Sequence, residues 1–208
     1  MTAAPPAANI PAHPSRAPRA GSAGSSPGSA GSTESTTTVV IGSGFSGLAV
    51  ASELCRQGVD SIVVEGMLQV GAGTRSDVRF RSGLGDRGDI FRLLVHYAQS
   101  HHLDIRSGTH AVELSRAPLA AAGGQWMVRT GDGILLADSI VLTRGAQNQL
   151  RRLLSGLGIG LGRDLLTALR SLGIYLVGVG DTLAPSTKDI LHQAKLVGQA
   201  ISATTAAA

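Results

Sequence analysis

Apolar and polar positions divide the chain from residue 37 onwards into buried strands and amphipathic helices. Short continuous apolar runs rich in Val and Ile predict strands, whereas apolar residues three and four positions apart predict helices. The predicted strands are residues 37–41, 61–64, 103–106, 110–115, 125–130, 134–143 and 174–181. The predicted helices are residues 45–57, 89–100, 147–154, 163–172 and 188–203.

The order of these elements indicates an α/β fold. A strand–helix–strand unit is followed by a helix, and the turn GDG at residues 131–133 then joins two strands as a hairpin. A doubly wound sheet would alternate strands and helices more regularly. We therefore predict a three-layer fold with a parallel central sheet, into which an antiparallel β-meander is inserted.

The first 36 residues differ in composition from the rest. They consist mainly of Ala, Pro, Gly, Ser and Thr, and after Met1 their only large apolar residue is Ile10. Such a segment cannot bury enough apolar surface to offset the entropy of ordering it. We predict a disordered tail over residues 1–36 and a single domain over residues 37–208. The Ser-rich tail would also suit a transit peptide, but without amphipathic periodicity a plain extension is favoured.

Charge and cysteine content argue against several classes of function. The formal net charge of +4 comes from scattered arginines, and aromatic residues make up 3% of the chain, which disfavours nucleic-acid binding. Cys55 is the single cysteine, so an intrachain disulfide is excluded. No apolar run reaches the length of a membrane span. We expect a soluble, cytoplasmic protein with no membrane or nucleic-acid partner.

The histidines do not form a metal-binding pattern. His96, His101 and His102 lie on or beside a predicted helix, and surface positions are the simplest interpretation. His110 and His192 stand alone, without a carboxylate or cysteine partner at motif spacing. We predict no metal site and assign no catalytic acid or base.

The strongest candidate site is the sequence VVIGSGFSGLAV at residues 39–50. Gly42 permits a tight turn, Gly44 lets the backbone approach a diphosphate, and Gly47 lets the following helix pack on the strand. The helix N-terminus then directs unpaired N–H groups and the positive end of its dipole at the phosphates. The predicted binding residues of this loop are Gly42, Ser43, Gly44, Phe45, Ser46 and Gly47.

An acidic residue, Glu65, follows the second predicted strand. Its carboxylate can accept hydrogen bonds from the hydroxyls of an adenosine ribose, and it would repel a 2′-phosphate. The loop and Glu65 together predict binding of a dinucleotide with an unmodified ribose, which is FAD or NAD.

Five segments resemble, in order, elements of the two-dinucleotide-binding-domain flavoproteins, and most of all flavin-containing monooxygenases and related FAD-dependent oxidoreductases. The segments are residues 39–65, 70–75, 85–115, 126–145 and 178–202. The resemblance implies a Rossmann-like FAD/NAD(P)-binding fold, FAD as the cofactor, and a small-molecule substrate or electron donor as the partner. It also implies cofactor contacts from Gly66, Gly73, Thr74, Val112, Gly145, Gly180 and Asp181.

The chain departs from this family where a second dinucleotide-binding domain is expected. Only 35 residues separate Gly145 from Asp181, whereas a whole domain needs on the order of 100 residues. Arg144 also stands where the family has a small residue. The leading hypothesis is a shortened FAD-dependent oxidoreductase, with NADPH disfavoured as its reductant. The alternatives are a non-catalytic or reductase-dependent flavin-binding remnant and an NAD-binding Rossmann domain.

Overall fold

The computed structural model describes residues 31–66, 86–117, 125–143, 165–179 and 185–207. Its strands are β1 (Ser32–Ile41), β2 (Ser61–Glu65), β3 (Asp104–Arg116), β4 (Trp126–Thr130), β5 (Gly133–Thr143) and β6 (Ile174–Val177). Its helices are α1 (Phe45–Arg56), α2 (Asp86–Ser100), α3 (Leu165–Ser171) and α4 (Thr187–Ala207). These four helices confirm the corresponding predictions with ends shifted by up to four residues, and the helix predicted at 147–154 lies outside the described residues.

A group of parallel strand pairs forms the centre of the fold. β1 lies between β2 and β5, β3 pairs with the outer side of β2, and β6 pairs with β5, all in parallel. Val39, Val40 and Ile41 of β1 are completely buried. A strand covered on both faces needs apolar side chains at successive positions, which explains the continuous apolar run.

An antiparallel meander extends from this parallel part. β4 pairs antiparallel with the second half of β3 and with the first half of β5. Because β3 and β5 each also have a parallel neighbour, the pairings β1–β2–β3–β4–β5–β1 close a ring. The predicted parallel sheet with a meander is therefore confirmed in part, since the described sheet is mixed and closed on itself.

β3 is one strand where two short strands were predicted, at residues 103–106 and 110–115. Gly108, which interrupts the apolar pattern, adopts a φ of +82°. Opposite it, the register between β2 and β3 shifts between Val64 and Glu65. Glycine accepts a positive φ without a steric penalty, so β3 bends at this point and pairing continues beyond it.

β1 begins at Ser32, five residues before the predicted strand. Residues 32–36, which the composition assigned to the disordered tail, pair with residues 133–137 of β5. That assignment was wrong for these five residues because small polar side chains carry no apolar signal, whereas the backbone of β5 supplies hydrogen-bond partners. The first 30 residues lie outside the described ranges, and the single-domain organisation stays a prediction.

Arg106 links the extended end of β1 to β3. Its Nη2 donates to a carboxylate oxygen of Glu34 at 2.7 Å and to one of Asp104 at 2.9 Å. The hydrogen bond to Asp104, and after it the one to Glu34, raises the pKa of Arg106 further above its usual value. The guanidinium therefore stays charged and holds the two strands together.

Apolar cores on the two faces of the sheet give the fold its layers. On one face, α1 and α4 pack together over the sheet, with Val40, Leu54 and Ile190 in one cluster, and α2 packs on α1. On the other face, Trp126 of β4 and Leu169 of α3 belong to a second cluster. None of the helices within the described residues combines the length and apolar content that crossing a membrane requires.

Ile140→Ala tests the central position of β5. Ile140 is completely buried, so we expect the substitution to lower the free energy of unfolding by about 2–5 kcal/mol through lost burial and the cavity left behind. Urea denaturation followed by circular dichroism measures the change. Leu166→Ala on α3, where the side chain is 55% exposed, is the control and should change stability by less than about 0.5 kcal/mol.

Candidate functional site

The loop from β1 to α1 begins with a turn that only glycine fits. Gly42 has a φ of +119°, and a β-carbon there would overlap the hydroxyl of Thr143 at the end of β5. That hydroxyl donates a hydrogen bond to the carbonyl oxygen of Ile41 at 2.9 Å, and the Gly42 N–H donates to the carbonyl oxygen of Val64 at 2.9 Å. The loop is therefore fixed to both neighbouring strands of β1.

The two other glycines of the motif have opposite surroundings. A β-carbon at Gly47 would overlap the carbonyl oxygen of Gly42, so α1 can lie this close to β1 only without a side chain there. A β-carbon at Gly44 would meet no described atom within 4 Å. Gly44 is exposed and precedes the first turn of α1 as its N-cap residue. The backbone is thus tightly packed at Gly47 and open at Gly44, as the motif predicts.

The N-terminus of α1 has no side-chain cap within the described part of the chain, and its first turn contains no acidic residue. The N-terminus of α4 differs in both respects, because Ser186 and Asp189 cap it reciprocally. Hydrogen bonds from Ser186 lower the pKa of Asp189, which places a negative charge beside the first turn of α4. Among the described residues, no side chain therefore occupies the backbone N–H groups at the start of α1, whereas the N–H groups of Ser186 and Asp189 at the start of α4 have side-chain partners.

The side chains of Phe45 and Ser46 pack into the fold at the start of α1. The ring of Phe45 stacks on Phe91 of α2, with centroids 6.4 Å apart. The guanidinium carbon of Arg87, also on α2, lies 5.0 Å from the centroid of the Phe45 ring. Ser46 is buried beside Gly178, where β6 has just ended. A cation and the end of β6 therefore lie next to the loop.

Glu65 ends β2 next to the loop, one residue beyond Val64, which pairs with Ile41. Its carboxylate is 31% exposed. Oε1 accepts a hydrogen bond from the backbone N–H of Gly108 at 3.0 Å, and Oε2 lies 3.1 Å from Nε2 of His110. Each oxygen thus has one partner from β3 and keeps acceptor capacity for a ligand.

The prediction that His110 stands alone was wrong. Besides its contact with Glu65, its Nδ1 lies 3.1 Å from the carbonyl oxygen of Gly66. The two partners precede His110 by more than forty residues, and the parallel pairing of β2 with β3 brings them together. A search for motif spacing along the sequence cannot find such a pair. The only sequence signal that could have led to this pair was the prediction that both segments are strands.

The other predicted binding residues divide into two groups. Val112 lies where the register between β3 and β4 shifts, and its side chain is 42% exposed. Ser43 is half-buried in the loop. Outside the described residues lie Gly73, Thr74, Gly145, Gly180 and Asp181. Within the described ranges, no three His, Cys, Asp or Glu side chains come together as a metal site would require.

A family model described as an NAD(P)-binding Rossmann-like domain matches residues 40–106. The matched segment contains the glycine loop, α1 and β2. It ends at Arg106, within the first residues of β3 that pair with β2. This part of the chain is therefore similar to a Rossmann-like domain. No curated protein sequence matches the chain significantly.

Solved structures are similar to the chain to different extents. THI4 from Thermovibrio ammonificans is 16% identical with a TM-score of 0.58, over 82% of this chain and 90% of that chain. A flavin-containing monooxygenase from Stenotrophomonas maltophilia is 22% identical with a TM-score of 0.36, over 52% of this chain and 38% of that chain. A bacillithiol disulfide reductase from Staphylococcus aureus is 16% identical with a TM-score of 0.38, over 54% and 39% of the two chains.

The matches differ in extent. The chain spans well under half the length of the monooxygenase and of the disulfide reductase. The similarity to THI4 covers most of both chains. It shows that the same fold also occurs in another chain of comparable extent.

Gly47→Ala and Gly44→Ala are a matched pair that tests the geometry of the loop. Alanine at position 47 would collide with the Gly42 carbonyl, so the backbone must shift, and we expect a loss of about 1–3 kcal/mol in the free energy of unfolding. Alanine at position 44 meets open space and loses only the N-cap preference for glycine, which amounts to about 1 kcal/mol or less. Urea denaturation of both variants measures the difference. Equal losses would contradict the described loop.

Proposed function

We propose that the chain binds FAD through the loop from Gly42 to Gly47 and through Glu65, as an oxidoreductase that resembles flavin-dependent monooxygenases. The observation that carries the proposal is the uncapped N-terminus of α1 at an opening beside Gly44, with the carboxylate of Glu65 at the end of the adjacent strand. The start of α1 suits the diphosphate of an adenosine diphosphate, and the carboxylate of Glu65 suits its ribose.

The diphosphate would bind at the start of α1. Backbone N–H groups there have no intrahelical partner, and the helix dipole adds positive potential, so an anion is favoured. The open space at Gly44 lets phosphate oxygens approach the backbone closely. Arg87, held over Phe45, supplies a full positive charge near the same loop. Substituting any bulkier residue for Gly44 would fill the space that the diphosphate needs.

The adenosine ribose would bind at Glu65. With a hydrogen bond from the Gly108 N–H on Oε1 and Nε2 of His110 3.1 Å from Oε2, the carboxylate keeps acceptor capacity on each oxygen, which matches a pair of adjacent ribose hydroxyls. A 2′-phosphate would place a dianion against this carboxylate, so NADP is disfavoured. The contact also explains why an acid rather than an amide suits this position, because hydrogen bonds to a charged acceptor are stronger.

FAD would supply the electron-transfer chemistry when bound, while the chain binds and orients it. Among the described residues, the loop and Glu65 hold the adenosine diphosphate end. Gly178, whose N–H donates to Oε1 of Gln193 at 2.9 Å, fixes the end of β6 beside Ser46. By the resemblance to flavin-containing monooxygenases, the flavin end of the cofactor would bind at the residues that follow in the sequence, Gly180 and Asp181. A small-molecule substrate or electron donor would be the partner.

A second candidate function is an NAD-binding Rossmann domain. The match of residues 40–106 to an NAD(P)-binding domain supports it, and the loop with Glu65 suits the adenosine half of either dinucleotide. The residues that favour FAD in this family, such as Gly73 and Asp181, follow from the resemblance. A third candidate is a flavin-binding protein reduced by a separate reductase, which the short segment between Gly145 and Asp181 supports.

Binding of FAD and NAD to purified protein tests the proposal. We expect yellow absorbance from co-purified or added FAD, and calorimetry should show tighter binding of FAD than of NAD, with NADP weaker than NAD. Colourless protein that gains no bound flavin would refute FAD binding. Tighter binding of NAD than of FAD would favour the second candidate instead.

Glu65→Ala tests the role of the carboxylate. The variant loses hydrogen bonds between a charged acceptor and the ribose hydroxyls, so we expect about tenfold to hundredfold weaker FAD binding in a calorimetric titration. The control is Glu113→Gln on β3, where the side chain is largely exposed and pairs with Arg129 at 3.7 Å. This control should bind FAD as the original chain does, and an equal loss in both variants would contradict the assignment.

Stopped-flow mixing of the FAD-loaded protein with NADPH tests whether the chain accepts this reductant directly. Because only 35 residues separate Gly145 from Asp181, too few for a second dinucleotide-binding domain between them, we expect slow or no bleaching of the flavin by NADPH alone. Photoreduction should still bleach the flavin and serves as the control. Rapid bleaching by NADPH would show that the chain accepts the reductant directly.

A further inference from the structure

The imidazole of His110 faces two hydrogen-bond acceptors at the end of β2. Nε2 lies 3.1 Å from Oε2 of Glu65, and Nδ1 lies 3.1 Å from the carbonyl oxygen of Gly66. Neither acceptor carries a proton to donate when Glu65 is ionised. A neutral imidazole has a single N–H group, so both hydrogen bonds can form together only when the ring is protonated.

The charged groups around His110 leave Glu65 as its ionic partner among the described residues. On β3, Arg106 is bound to Asp104 and Glu34, and Glu113 pairs with Arg129 of β4. After β4, the carboxylate of Asp132 accepts a hydrogen bond from Thr109. On β2, Glu65 contacts His110 directly, and both side chains are 31% exposed.

We infer that His110 is a positioning residue that makes adenosine recognition at Glu65 depend on pH, with tighter dinucleotide binding when its ring is protonated. The inference rests on the proposed function, because it assumes that Glu65 receives the ribose. In the proposed arrangement, His110 does not touch the cofactor. It acts by holding the carboxylate and the backbone that follows it.

Protonation of His110 completes the attachment of the β2 end to β3. With the Gly108 N–H on Oε1 and the imidazolium beside Oε2, both oxygens of the carboxylate are held by β3. Loss of the proton leaves one donor for two acceptors, so either Glu65 or Gly66 loses its partner. The less restrained carboxylate must then be ordered by the ligand itself, which weakens binding.

Two electrostatic effects accompany the proton. The imidazolium withdraws some negative charge from Glu65, which weakens its hydrogen bonds to hydroxyls, but a half-exposed ion pair of this kind contributes little. The added positive charge near the loop also attracts the diphosphate, which acts in the same direction as the fixed carboxylate. The net expectation is about threefold to tenfold tighter binding of the protonated form, the range that one lost hydrogen bond produces.

Titration calorimetry with ADP-ribose at about pH 5.5 and pH 8.0 tests the inference, since imidazoles change charge within this interval. ADP-ribose contains the adenosine ribose and a diphosphate diester, and neither the diester nor the adenine titrates within this interval. The chain should bind it about threefold to tenfold more tightly at the lower pH. His110→Gln retains a donor for Glu65 but does not titrate, so its affinity should be the same at both pH values.

His96→Gln is the matched control. His96 lies on the exposed side of α2, where its Nδ1 is 3.4 Å from the hydroxyl of Ser100, and this variant should keep the pH dependence of the original chain. If His110→Gln keeps that pH dependence as well, the inference is wrong. If the original chain binds neither ADP-ribose nor FAD at either pH, the proposed function fails first and the inference fails with it.

Nuclear magnetic resonance keeps the test valid if His110→Gln does not fold. The His110 ring of the original chain can be titrated with and without saturating ADP-ribose. If the ligand binds the protonated ring more tightly, bound ligand must move the titration midpoint of His110 to higher pH. An affinity difference of about threefold to tenfold corresponds to a midpoint shift of about 0.5 to 1 pH unit. An unchanged midpoint would overturn the inference.

Discussion

The close approach of Gly47 to the carbonyl oxygen of Gly42 is the constraint on which this arrangement depends. It lets α1 start close to the end of β1, and α4 packs on α1. Thr143 fixes the other side of the same turn from β5. The same turn therefore holds both the start of the helical layer and the open backbone at Gly44.

The helices α1 and α4 of this layer differ in how the unpaired backbone N–H groups at their N-termini are satisfied. α4 is capped by Ser186 and Asp189, which contributes stability in the free chain. α1 begins at Gly44 without such a cap among the described residues, and glycine is less favourable there than a capping side chain by about a few tenths of a kcal/mol. A ligand that supplies an anion can recover this free energy on binding. The contrast is physical support for a binding role at α1 and a structural role at α4.

Local sequence was sufficient to predict the loop, α1 and the position of Glu65, because a turn, a helix and a strand end are determined by neighbouring residues. It was insufficient for the first half of β1, whose polar residues 32–36 are ordered by β5. It also split β3 at Gly108, where the apolar pattern stops but the pairing does not. His110 was dismissed because its partner comes from another strand. Each error involves an interaction between residues far apart in the sequence.

The long parallel pairing of β1 with β5 has a consequence for synthesis of the chain. Ile41 and the hydroxyl that binds its carbonyl oxygen are separated by 102 positions, and β1 lies between two neighbours of which only β2 is made soon after it. On the ribosome, one edge of β1 therefore stays unpaired until the whole meander has emerged. Folding of the nascent chain should be limited by the arrival of β5 rather than by formation of the glycine turn.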